Sequence, residues 1–401
     1  MSKKMYVGVD NIAKTVNTAY IGVNNIAKTV KKAYVGVGGK ARLFYSNQGV
    51  IPVYYEKGLN FLYKHDKGGA VTNTQGNKII AISCDSFRDY YYKAEMIYKN
   101  RVKVALTDSD GASFVGFANS KDHAIFVGGH IPTASSTIYS KSCTAYDFSS
   151  GVKITLTDIK YRTKGITGTG FNNNAVFAGG ISKEYTNRYY FRFDENLVYH
   201  DIEVGGSKKS NGVCMAASNH GVFTCGGDKP DKDVPNIHDK NFIRINISGL
   251  PDNRLLHASN AVGLLENIIM CGGTSSTYTS DISSLQNPNY TKNFLYSINK
   301  NFVASSIGSM SLSGCPNANT NKIMAVICPD PYNKSRRDTL EIYNSQLIRT
   351  YILHENVYID YYSGWYTDYE KFYAFYKCYL GDSIFFSNQD DSSMMAEVAF
   401  V

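Results

Sequence analysis

No stretch of this chain comes near the roughly 18 to 20 consecutive apolar residues that a membrane helix requires, so no helical span is expected. Asp10, Asn11 and Lys14 interrupt any apolar region in MSKKMYVGVDNIAKTV, which argues against a cleavable secretion signal and for synthesis and folding in the cytoplasm. Amphipathic helices are also missing. No long window spaces apolar residues at 3.6 without glycine or β-branched interruption. The sequence has no HExxH, no GxSxG elbow, no P-loop and no aspartate-rich calcium loop, and its histidines are scattered. Its eight cysteines are widely spaced with no CxxC, which excludes a zinc-type cluster. Cys225 and Cys271 each precede a glycine pair and read as small buried residues. The expectation is no catalytic residue, no metal and no cofactor.

What the chain does have is 32 tyrosines, 34 glycines and an abundance of Ser, Thr and Asn, a β-rich and turn-rich profile. Its formal charge of +8 is uneven. Residues 1–42 hold eight basic side chains against Asp10 alone, a net +7, so the remainder is nearly neutral. That balance argues against nucleic acid as a partner of the main body.

Two periods organise the chain. The first is 14 residues: YVGVDNIAKTVNTA from Tyr6, YIGVNNIAKTVKKA from Tyr20 and YVGVGGKARLFYS from Tyr34. Within each unit two short alternating runs flank Asp10-Asn11, Asn24-Asn25 or Gly38-Gly39, pairs that tolerate the positive φ of two-residue hairpin turns. With return turns at Asn17-Thr18 and Lys31-Lys32, the arm is expected to form a meander of about six very short strands. Each unit alternates Ile, Val and Lys with Tyr, Gly, Ala and Thr, so neither face is thick enough to make a core alone. The arm should need a partner.

The second period, about 45 to 55 residues, is near that of kelch-type repeats. Apolar strands end in Gly128-Gly129, Gly179-Gly180, Gly226-Gly227 and Gly272-Gly273, with weaker copies in NKIIAISCD, NKIMAVICPD and KFYAFYKC. A small-residue strand such as GASFVGFA or GITGTGF precedes each pair. A polar loop follows, then a strand such as SCTAYDF, RYYFRF, NFIRINI or KNFLYSI, and a last one such as VKITLTDI. The glycine pairs are expected where neighbouring backbones crowd. The reading is an all-β chain: residues 1–45 a repeat arm, 46–75 a connecting segment, and 76–401 a propeller of about seven four-stranded blades. Its terminal MMAEVAFV should help close the ring, with RLFYS or IPVYYEKG nearby. A β-sandwich is the competing arrangement.

The glycine-pair strands, with Tyr146-Asp147, resemble the kelch motif over residues 76–401, although the usual fourth-strand tryptophan is missing. The arm is similar to the YIGVxxxAxxVKKA repeats at the N-termini of structural proteins from phages, prophages and phage-tail-like particles of Gram-positive bacteria. This second resemblance implies a virion or tail-baseplate component, with residues 1–45 binding other tail proteins.

Loops between second and third strands would all emerge on one side, and here they are long and polar: about 85–91, 130–142, 181–188, 228–240, 274–292 and 329–338. They carry Tyr90, Tyr139, Tyr185, Tyr278, Tyr290 and Tyr332. Tyrosine gives large contact area at low entropic cost, so these six are the candidate ligand-binding residues for a bacterial surface glycan or protein. The expected function is a non-enzymatic tail or baseplate appendage. A structural brace with no host contact and a surface-glycan-cleaving enzyme are the alternatives. Homo-oligomerisation is left open.

Overall fold

The computed structural model describes residues 6–9, 12–15, 20–23, 26–29, 32–37, 40–46, 53–60, 62, 69–84, 92–109, 116–132, 137–181, 190–202, 214–225, 236–249, 260–264, 266–271, 294–309, 315–319, 323–328, 339–344, 349–354, 378–381, 383–387 and 394–400. Each 14-residue unit is one hairpin: β1 (Tyr6–Val9) with β2 (Ile12–Thr15), β3 (Tyr20–Val23) with β4 (Ile26–Thr29), and β5 (Lys32–Val37) with β6 (Lys40–Ser46). The registers Val9↔Ile12, Val23↔Ile26 and Val37↔Lys40 leave the two turn residues expected in each unit. The expected continuous meander is not seen among the described residues. Among the described residues the hairpins are three separate two-stranded sheets, and Lys32 opens β5 instead of lying in a return turn.

Among the described residues the remaining strands make seven antiparallel four-stranded sheets and one two-stranded hairpin. After β7 (Val53–Asn60), the first sheet holds β8 (Gly69–Thr72), β9 (Lys78–Cys84), β10 (Tyr92–Tyr98) and β11 (Lys103–Ser109). The second holds β12 (Gly116–Asn119) and β13 (His123–Val127), then, past a small hairpin of β14 (His130–Pro132) and β15 (Thr137–Tyr139), β16 (Cys143–Asp147) and β17 (Lys153–Thr155). The third is β18 (Lys164–Phe171), β19 (Asn174–Ile181), β20 (Tyr190–Phe193) and β21 (Tyr199–Asp201). The fourth is β22 (Cys214–Ala217), β23 (Gly221–Cys225), β24 (Asn236–Asp239) and β25 (Arg244–Ile245). The fifth is β26 (Asn260–Leu264), β27 (Asn267–Cys271), β28 (Phe294–Ile298) and β29 (Ala304–Ser309). The sixth is β30 (Cys315–Asn319), β31 (Ile323–Cys328), β32 (Thr339–Asn344) and β33 (Arg349–His354). The seventh joins β34 (Cys378–Leu380), β35 (Ser383–Ser387) and β36 (Met394–Phe400) to β7.

Segment 46–75, expected only to connect, thus supplies β7 and β8 to two sheets. MMAEVAFV pairs with VYYEKGLN, while RLFYS stays in the third hairpin.

First strands of successive sheets lie side by side, from β8 and β12 through to β30 and β34, and β34 lies beside β8. Apolar clusters fill the gaps between sheets. Phe126, Tyr146 and Phe148 meet Ile80, Ile82 and Met96 between the second and first. Phe177, Phe191 and Phe193 meet Ile125, Val127 and Ala145 between the third and second. Phe223 and Ile237 meet Ile268 and Met270 between the fourth and fifth, and Leu380 and Phe385 meet Ile79 and Ile97 between the seventh and first. Each fully buried Phe or Ile contributes roughly 1.5–3 kcal/mol of transfer free energy. Crowding explains the first-strand glycines. A Cβ at Gly263 would overlap the Ala217 carbonyl, and one at Gly168 would come 2.6 Å from the Phe117 carbonyl.

At Gly128 the expected crowding is present, since a Cβ there would come 2.6 Å from the Thr163 carbonyl, and a second reason joins it. Gly128 and Gly129 have φ of +66° and +99°, left-handed backbone that turns the second strand into its loop.

In the third, fourth and fifth sheets one recurring turn joins the third strand to the fourth. In Asp194–Val198, Asp239–Ile243 and Asn299–Val303 the side-chain Oδ1 accepts from backbone N–H two and four residues on. The fourth residue takes positive φ although it is Leu197, Phe242 or Phe302. Such backbone costs roughly 1–2 kcal/mol in a non-glycine residue, and packing offsets it. Phe242 is edge-on to Phe171 of the preceding sheet at 5.8 Å and under the Arg192 guanidinium at 4.6 Å. Phe302 rests on Gly221, also one sheet back. Arg101 (φ 69°) of the first sheet lies over Phe385 of the seventh at 5.1 Å.

This turn corrects the reading of the fourth sheet. The third strand is Asn236–Asp239, inside the expected loop 228–240, and the expected strand NFIRINI begins in the turn, because left-handed Phe242 breaks its alternation. In the seventh sheet Cys378 opens the first strand instead of ending the second.

In the second sheet the turn is one residue longer, and Asp147 Oδ1 accepts from the N–H and hydroxyl of both Ser149 and Ser150. Burial works against ionisation there, but these hydrogen bonds prevail and hold the carboxyl down to about 2. Asp147→Ala should cost about 1–3 kcal/mol, and Asp147→Asn, which keeps an acceptor, less. Because the folded-state value is depressed, this stabilisation is complete above the ordinary carboxylate range and is lost as pH falls towards about 2. Urea midpoints of parent and Ala variant should therefore converge on acidification from pH 5. A constant difference would refute the assignment.

Candidate functional site

Strand directions give the sheets two unlike ends. First-to-second turns, and third-to-fourth turns in every sheet but the seventh, lie at one end, while second-to-third loops and sheet-to-sheet connectors lie at the other. Of the six candidate tyrosines, Tyr139 is described. It ends β15, is half-buried and pairs with His130 across the β14–β15 hairpin. The hairpin's base is pinned: Ser140 N–H donates to the Gly129 carbonyl at 2.8 Å, and Thr163 N–H to the Ser140 carbonyl at 3.1 Å. Ile159 and Thr163 are buried beneath it, whereas Thr157, Asp158, Lys160 and Arg162 are exposed. Tyr90, Tyr185, Tyr278, Tyr290 and Tyr332 lie outside the described residues, as do most of the loops that carry them.

Near the same end, between the third and fourth sheets, is a polar group that sequence reading missed. Tyr190 and Asn236 are the first residues of β20 and β24, and the Tyr190 hydroxyl and Asn236 Oδ1 are buried without a hydrogen-bond partner. The Tyr190 ring stacks on buried His238 with centroids 4.8 Å apart. Burial pushes the Tyr190 hydroxyl up, so it remains a neutral donor. A donor and an acceptor in apolar surroundings suit a bound water or another small neutral polar group.

Among the described residues no three His, Cys, Asp or Glu gather as metal ligands, and no helix is long and apolar enough to cross a membrane. Burial pushes the thiols of Cys143 and Cys378 up, which keeps them protonated and poorly nucleophilic. The histidine–carboxylate pairs sit at the turn end. His200 Nε2 lies 2.8 Å from Asp194 Oδ2, and His220 bonds Glu266 of the next sheet. Both brace turns.

No family model matches the chain, and no curated protein matches it. A solved structure titled "Structure of YjhT" is similar over 70% of this chain and 96% of that one, with a TM-score of 0.46 and 11% identity.

Proposed function

We propose that the seven sheets are the blades of one closed β-propeller, and that the chain is a non-enzymatic tail or baseplate appendage of a phage or phage-like particle. Three contacts between the seventh and first sheets support closure. Gly381 N–H donates to the Gly76 carbonyl at 2.6 Å, Tyr379 N–H to Thr72 Oγ1 at 2.9 Å, and Arg101 Nη2 to Ser383 Oγ at 3.5 Å.

The observation that carries the functional reading is the arm. Three repeat units of a basic arm fold as separate hairpins, the first two in the same register, and among the described residues none is paired into the seven sheets. Isolated hairpins are marginal in water. A repeated, unpartnered, basic module ahead of a body with its own apolar clusters suits attachment to a larger assembly, residues 1–45 holding the particle and the loop face meeting a bacterial surface glycan or protein. The long tyrosine-bearing loops favour this over a purely structural brace.

Aromatic anchors at the centre of a contact are worth roughly 2 kcal/mol or more each, and 1.4 kcal/mol is a factor of about ten. Particles carrying Tyr139→Ala with Tyr278→Ala should assemble normally and adsorb to host cells at least tenfold less well. Unchanged adsorption refutes the receptor face. Failure to assemble makes the bracing role the better reading.

A further inference from the structure

We infer that the turn end of the sheets seats the protein on its particle, against a particle protein that offers acidic surface to the arm and apolar contact to the blade rims; this rests on the particle reading above.

The first observation is where the arm leaves. In the seventh sheet Ser383, just after the first-to-second turn, pairs with Ala399, and the neighbouring Phe400 pairs with Val53. Val53 is therefore at the turn end, and β7 runs from there to the loop end at Asn60. Six residues, hence seven Cα–Cα steps, separate Val53 from Ser46, the last residue of the third hairpin. Fully extended they reach about 25 Å, no more than the roughly 26 Å length of an eight-residue strand. The arm therefore joins the sheets at the turn end.

The second observation is the rim. Val102, Val152, Val198, Ile243 and Val303 are 52%, 58%, 51%, 59% and 40% exposed. A single exposed valine is ordinary. These five occupy one equivalent place, the residue after the left-handed position of the third-to-fourth turn, in five consecutive sheets. The turn explains why Leu197, Phe242 and Phe302 pack inward, but the following residue needs only an extended backbone, which threonine also favours. The described loop-end surface is polar at Thr157, Asp158, Lys160 and Arg162, with a single exposed apolar residue, Leu62, two positions past Asn60. Net +7 on residues 1–42 selects an acidic partner for the arm, and disfavours a second copy of the same arm.

The test places the photo-crosslinker p-benzoylphenylalanine in the full chain at Val198 or Ile243 of the turn end, or at Thr157 or Asp158 of the loop end, in assembled particles. Turn-end positions should give at least fivefold more adduct with another particle protein. Equal or greater loop-end crosslinking overturns the inference, as does co-sedimentation of the chain with particles without a turn-end adduct. An adduct of the chain with itself means that the rim joins copies of this chain, which also overturns it. Failure to co-sediment refutes the particle reading, and the inference with it. Replacing all five rim residues by Thr should leave the urea midpoint in place and lower copies per particle at least threefold. Unchanged occupancy removes the rim from the interface.

Discussion

Removing residues 1–46 is expected to leave the urea midpoint of the protein unchanged, whereas removing 1–60 should lower its stability by about 3–5 kcal/mol. The first cut takes only the hairpins, which are not paired into any four-stranded sheet among the described residues. The second removes β7, whose pairs from Val53↔Phe400 to Asn60↔Met394 complete the seventh sheet. It also ends two residues before Leu62, whose N–H donates to both carboxylate oxygens of Glu95, at 3.1 and 3.0 Å. Glu95 is fully buried. Loosening a donor from a buried carboxylate costs several times more than losing a surface bond. Against a total of roughly 5–15 kcal/mol for a folded protein, that loss is a large share of the stability and lowers the urea midpoint accordingly. Circular dichroism of the two truncations decides it. Equal midpoints would mean that β7 contributes nothing to the seventh sheet. The shorter truncation should also fail to join particles, and normal incorporation would refute the attachment role.

Tyr146→Ala should destabilise by about 3–5 kcal/mol, as expected when a large aromatic leaves a packed core. Tyr146 is wholly buried between the first and second sheets, edge-on to Phe126 at 6.1 Å. Its hydroxyl donates to the Thr107 carbonyl of β11 at 2.9 Å, so one side chain joins two sheets by packing and by a hydrogen bond. Tyr146→Phe separates the contributions, because it keeps the ring and should cost only about 1 kcal/mol. Chemical denaturation of both variants checks the ratio. If Ala costs no more than Phe, the ring is not holding the sheets together.

The strand pattern was legible wherever the signal is local. SCTAYDF, RYYFRF and KNFLYSI fall on β16, β20 and β28, because alternation and β-branched or aromatic content report directly on a half-buried strand. The hairpin turns at Asp10-Asn11 and Asn24-Asn25 were legible for the same reason. Phase was lost where apolar content and strand position separate. INISGL follows an Asp-x-Asn turn, so Phe242 and Ile243 read as strand residues although they complete a bend. The signal that would have found this was present: an Asp or Asn, then Asn two residues on, then a large residue and Val or Ile, at residues 194, 239 and 299. The Tyr190–Asn236–His238 group was not legible, since it depends on two strands more than 40 residues apart meeting across a sheet boundary. Of the candidate tyrosines, Tyr139 is placed on a pinned hairpin at the loop end, as its loop position suggested.

The pairing of β7 with β36 also orders events in time. Residues 53–60 leave the ribosome more than 300 residues before their partners at 394–400 exist. Each third-to-fourth turn closes a hairpin from neighbouring residues, and such local contacts form in microseconds. Sheets one to six can therefore assemble in chain order, while β7 waits as an unpaired strand and β8 lacks its neighbour β34. Contacts of such long sequence separation are the slow ones in β-rich folding. The nascent chain carries an open sheet edge for most of its synthesis, and its principal hazard is strand exchange with another copy at that edge.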